Sequence, residues 1–98
     1  MNKLSNLRLP NSTSSMHQIN QIAQTLNDIT RLMVDRPEDV MVRIEGTEPN
    51  TVLKLAVHTG DVGKVIGKQG RTASALRTIL QATAATAKVK LALDIAEN

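Results

Sequence analysis

The sequence predicts an α+β domain in which a three-stranded sheet carries helices packed on one face. Three observations predict it. Apolar residues recur at helical spacing in some stretches and alternate in others, and the stretches follow the order helix, strand, strand, helix, helix, strand. Neither kind of stripe is buried on its own, and stacking the helices against one side of the sheet buries both. With 98 residues, one domain is expected.

The elements follow in order. Residues 1–15 are rich in Asn and Ser and contain Pro10, which predicts a flexible leader before a domain over 16–98. The first ten residues hold no long apolar run, so no secretory signal is expected. Ile19, Ile22, Leu26, Ile29 and Met33 fall on one helical face and predict a helix over 16–34, capped by Ser14 or Ser15. Pro37 disfavours a helical residue before it, which stops the helix near Asp35-Arg36. Val40, Val42 and Ile44 alternate with Met41, Arg43 and Glu45 as a strand. The turn cluster Gly46-Thr47-Glu48-Pro49-Asn50 follows, then a second strand with Leu53, Leu55 and Val57 on one side. Gly60 and Asp61 open a short helix through Ile66. Ala73, Leu76, Leu80 and Thr83 mark a longer helix ending near Ala85. Val89, Leu91, Leu93 and Ile95 alternate with Lys88, Lys90, Ala92 and Asp94 as a last strand.

Composition removes several function classes. There is no Phe, Tyr or Trp, so the core is aliphatic and no aromatic platform exists for stacking bases. That argues against an RRM and against an OB-fold that binds by stacking. There is no cysteine, which fits a reducing cytosol, and His17 and His58 stand apart, so no metal or cofactor site is expected. No segment is apolar enough to cross a bilayer. No Ser–His–Asp or paired-carboxylate arrangement supports catalysis. The net charge of +3 is unevenly spread: from Val62 to Leu93 there is no acid, but Lys64, Lys68, Arg71, Arg77, Lys88 and Lys90 all lie there. That half is either a polyanion surface or an ordinary solvated face.

The motif that decides between them is Gly67-Lys68-Gln69-Gly70, set between two helical patterns. Two glycines open torsions closed to other residues and let bare backbone approach a phosphate where a helix begins. Lys68 supplies a point charge, Gln69 neutral donors, and Arg71 a charged donor at the helix start. The same glycines could simply form a turn between helices. A Walker loop is excluded because Gly63 and Gly67 are too close and Gln69 follows Lys68. A dinucleotide fingerprint is excluded because residue 65 is Val. A Gly-x-x-Gly loop in this element order is the phosphate-contacting device of KH domains, which hold single-stranded nucleic acid.

The run Asp35-Arg36-Pro37-Glu38-Asp39-Val40, followed by Asp61-Val62-Gly63-Lys64-Val65-Ile66-Gly67-Lys68-Gln69-Gly70-Arg71-Thr72-Ala73 and Leu76-Arg77, resembles the small bacterial KH-domain RNA-binding proteins of the KhpA (YlqC) family over about residues 19–95. The resemblance implies a type II KH fold, a cytoplasmic setting, and single-stranded RNA as ligand, in post-transcriptional regulation or as an RNA chaperone. It implies Gly67, Lys68, Gln69 and Gly70 on the phosphates, with Lys64 and Arg71 flanking them. Ile66 either floors the groove near a base or fills the core. Arg77, Lys88 and Lys90 are weaker candidates. The resemblance also suggests a homodimer and pairing with a larger KH-containing protein. Two rivals remain: a protein-interaction module with vestigial RNA binding, and a component docking on structured or ribosomal RNA.

Overall fold

The computed structural model describes the backbone of residues 11–98 and the side chains from Ser15 onward. Helix α1 (Asn11–Arg31) is followed by a 3-10 turn at Pro37–Asp39, strands β1 (Met41–Glu45) and β2 (Thr51–Val57), and a second 3-10 turn at Thr59–Asp61. Then come α2 (Val62–Ile66), a 3-10 turn at Lys68–Gly70, α3 (Arg71–Ala87) and β3 (Leu91–Glu97). The sheet order is β1-β2-β3, with β1 antiparallel and β3 parallel to the central β2. This order and mixed sheet are the type II KH architecture expected.

Leu53, Leu55 and Val57 point from β2 into the core and are wholly buried. Across the register, Leu53 is flanked by Ile44 and Leu93, and Leu55 by Val42 and Ile95, so one face of all three strands is apolar. α1 and α3 cover that face with Ile19, Ile22, Ala23 and Leu26, and with Leu76, Leu80 and Ala84. The opposite face, with Met41, Arg43 and Glu45 on β1, stays open.

The ends of α1 differ from expectation. The helix begins at Asn11, within the stretch assigned to the leader. Once a nucleus exists, each added turn needs only one more bond per residue, and residues 11–15 contain no Gly or Pro to resist it. The rest of that stretch, 1–10, lies outside the described residues. At the other end the helix stops at Arg31, sooner than Pro37 requires. The amides of Leu32 and Met33 tighten to i−3 carbonyls at 3.0 and 2.9 Å, and those of Asp35 and Arg36 bond the Asp61 carboxylate instead.

Two apolar faces are also rotated from the expected ones. On α1, Ala23 and Thr30 are buried, and Ile29 is 39% exposed. Thr30 satisfies its hydroxyl by donating to the Leu26 carbonyl at 2.8 Å. On α3 the stripe continues through Ala84, and Thr83 is exposed, its hydroxyl donating to the Ile79 carbonyl at 2.8 Å. No helix among the described residues is long and apolar enough to cross a membrane.

Candidate nucleic-acid interface

α2 is only five residues long, and Val65 anchors it in the core. Its last turn closes through the Gly67 amide, which donates to the Gly63 carbonyl at 2.8 Å. Gly67 then takes φ 78, ψ 172, a region essentially restricted to glycine. Space excludes a side chain as well. A Cβ at residue 67 would overlap the Thr72 hydroxyl and stand 2.8 Å from Thr72 Cβ and 2.9 Å from its nitrogen. Gln69 (φ 56, ψ 26) and Gly70 (φ 72, ψ 15) are both left-handed. The chain thus turns from α2 into α3 within four residues. No side chain caps the start of α3, because the capping residue is Gly70. A 17-residue helix therefore points its positive end at the loop.

Lys68, Gln69 and Arg71 are exposed around this turn. Arg71 Nη2 donates to Gln69 Oε1 at 3.3 Å, so the guanidinium lies beside the loop. The loop set is thus gathered at one place, and the groups it presents are overwhelmingly donors, as a phosphate requires. Ile66 is half-buried next to it, compatible with either of the roles considered for it.

Lys64 lies one turn back and faces elsewhere. Its Nζ is 3.3 Å from Asp35 Oδ2 and 4.0 Å from Asp61 Oδ1. The Asp35 carboxylate is exposed, and a pair of that kind is worth about 0–1 kcal/mol, so that contact holds the lysine only loosely. Arg77 is exposed but sits six residues after Arg71, which at about 100° per residue turns it some 240° round α3. Lys88 and Lys90 lie beyond the other end of α3, about 25 Å along its axis at 1.5 Å per residue. They border a cleft of about 540 Å³ between the end of α3 and the start of β3, lined also by Gln81, Ala84, Val89 and Leu91.

Two residues of the motif acquire roles that spacing did not reveal. Asp61 is buried, and its carboxylate accepts the amides of Asp35 at 3.2 Å and Arg36 at 3.0 Å. It ties the foot of α2 to the chain before β1. Burial pushes its pKa up, but the two amides, Lys64 and His58 outweigh this and hold it below the ordinary 3.8. Its contribution to stability is therefore complete above 3.8 and is lost as pH falls through the lower native value. Thr72 is the second: its hydroxyl lies against Gly67, on the loop side of the first turn of α3. The sequence signal was only its place directly after Arg71.

A separate apolar groove of about 490 Å³ runs between α1 and α3. Its lining, which includes Ile22, Thr25, Ile29, Leu76 and Ile79, carries no charge.

Comparison with known proteins agrees with this fold. The family described as KhpA/KhpB, KH domain, matches residues 23–95. The RNA-binding protein KhpA of Chlamydia muridarum is 46% identical over 72 residues, covering 71% of this chain and 90% of that protein. The same-named protein of Listeria monocytogenes is 44% identical over 69 residues, covering 70% and 91%. That of Treponema pallidum is 49% identical over 67 residues, covering 68% and 84%. A match through both helices of the loop, the loop itself and all three strands leaves one conclusion: the chain belongs to the KhpA/KhpB KH-domain family.

Proposed function

We propose that the protein binds single-stranded RNA, with the sugar-phosphate backbone seated on Gly67–Gly70 and held by Lys68, Gln69 and Arg71. It is a binding protein and not an enzyme. The observation that carries this reading is the loop: bare backbone at Gly67, three exposed polar side chains and an uncapped helix start converge on one spot. The name RNA-binding protein, carried by relatives that match most of their length, supports it. A KH loop of this kind clamps about four nucleotides. A strand running from it along α3 leads toward Lys88 and Lys90. The setting is the cytoplasm, and the role is post-transcriptional, as an RNA chaperone or regulator.

Titration of a labelled unstructured RNA at several salt concentrations tests the reading. With two to four phosphates neutralised, the log–log slope is about −1.5 to −3, from about −0.7 per phosphate on single strands. Duplex DNA binds more weakly. Affinity that ignores salt, or equal affinity for the duplex, refutes the mechanism.

A second reading concerns self-association. Ile79 is 57% exposed and Ile29 39%, and both line the uncharged α1–α3 groove. An isologous dimer needs a patch that offers both ridge and groove, and this face does so. Two linked RNA sites then gain through effective concentration what one short groove lacks. The same face would receive a larger KH-containing partner. Light scattering is expected to give a dimer for the parent and a monomer for Ile79→Asp, with circular dichroism unchanged because Ile79 is already exposed. A monomeric parent at high micromolar concentration removes this reading without touching the first.

A further inference from the structure

Among the groups gathered at the loop, hydrogen-bond acceptors are scarce. The Lys68 and Arg71 side chains have none, and the main-chain carbonyls of Gly67 and Lys68 already accept the amides of Gly70 and Arg71. The Gln69 side-chain oxygen already accepts from Arg71. The Thr72 hydroxyl is the other side-chain acceptor beside the loop. The helical threonines Thr25, Thr30, Thr78, Thr83 and Thr86 each donate their hydroxyl to the carbonyl four residues back. The Thr72 hydroxyl makes no hydrogen bond to another described residue, and it is turned toward Gly67, where the backbone is bare.

A phosphate oxygen only accepts, so the donors at the loop serve RNA and DNA alike. A ribose 2′-hydroxyl also donates, and it is the group by which a protein tells RNA from DNA. Resting on the RNA-binding reading above, we infer that Thr72 is a specificity-determining residue: its hydroxyl oxygen accepts a hydrogen bond from a ribose 2′-hydroxyl while the loop holds the adjoining phosphate. The side chain is half-buried, and its hydroxyl lies beside the bare backbone of Gly67.

The test compares Kd values for a single-stranded RNA, the DNA of the same sequence, and the RNA with 2′-fluoro sugars, which cannot donate. Thr72→Val keeps the branched shape against Gly67 and removes the hydroxyl. Thr72→Ser keeps the hydroxyl. The parent is expected to prefer RNA over both analogues, and Thr72→Val to lose about three- to tenfold on RNA alone, the range of one neutral hydrogen bond. Its affinity for the DNA and the 2′-fluoro strand should be unchanged, and Thr72→Ser should bind like the parent. If Thr72→Val weakens all three ligands equally, or none, the assignment to Thr72 is wrong and RNA binding by the loop still stands. The same holds if the parent binds RNA and DNA alike. If the parent binds no single strand, both readings fall.

Discussion

Replacing Lys68 and Gln69 together by aspartate is expected to abolish RNA binding and leave the fold intact. Both side chains are exposed, and neither belongs to the core, so the effect on stability stays within about 0.5 kcal/mol. The backbone is not newly strained, because Asp tolerates the left-handed conformation of residue 69 better than Gln does. The ligand sees one positive charge removed and two negative charges added where phosphate approaches the main chain. Each repulsion at about 4 Å is worth about 1 kcal/mol in water and about 4 kcal/mol at the effective dielectric of a protein surface. Affinity should fall by more than about 100-fold, which is about 2.8 kcal/mol at 1.4 kcal/mol per decade. Arg43→Asp, on the open face of the sheet, is the control and should bind nearly as the parent does. Affinity and circular dichroism are measured side by side. A folded double variant that still binds RNA moves the site away from the loop and favours the protein-interaction reading.

Leu55→Ala has the largest expected effect on stability. Leu55 is wholly buried on the central strand, flanked across the register by Val42 and Ile95 and overlaid by the helices. Strands on both sides hold it, so the site cannot collapse around the lost atoms. Substitutions of this kind cost about 2–5 kcal/mol. For a domain of this size that corresponds to a fall in melting temperature of about 8–40 °C, at about 4–8 °C per kcal/mol. The chain has no aromatic residue whose larger ring could swing into the void. A change below about 1 kcal/mol by urea denaturation would show that β2 is not the centre of the core. RNA affinity measured at low temperature on the folded fraction should be unchanged.

Much of this was legible in the sequence, for identifiable reasons. Alternation in β1, β2 and β3 follows a period of two that leaves only two choices of face, and the buried side contains Leu53, Leu55, Leu91 and Leu93, as expected. The loop was legible because glycine spacing and charge are local. What depended on packing partners was not. Ile29 and Thr83 match a helical stripe as well as Thr30 and Ala84 do, and only the position of the neighbouring elements decides which are covered. The early end of α1 reflects a carboxylate 25 residues away in sequence taking the Arg36 amide. Lys64 meets Asp35 and Asp61, and the Asp35 contact joins residues far apart in the sequence.

The length of α3 has a consequence for ligand choice. Its uncapped start and the loop present donors at one end, and Lys88, in left-handed conformation at its close, places positive charge at the other. On the proposed reading, a strand lying along the helix is gripped at both extremities and unread in the middle. A helix so equipped behaves as a ruler. It would sort RNAs by whether an unpaired stretch is long enough to reach from pole to pole, with little regard to the bases it contains.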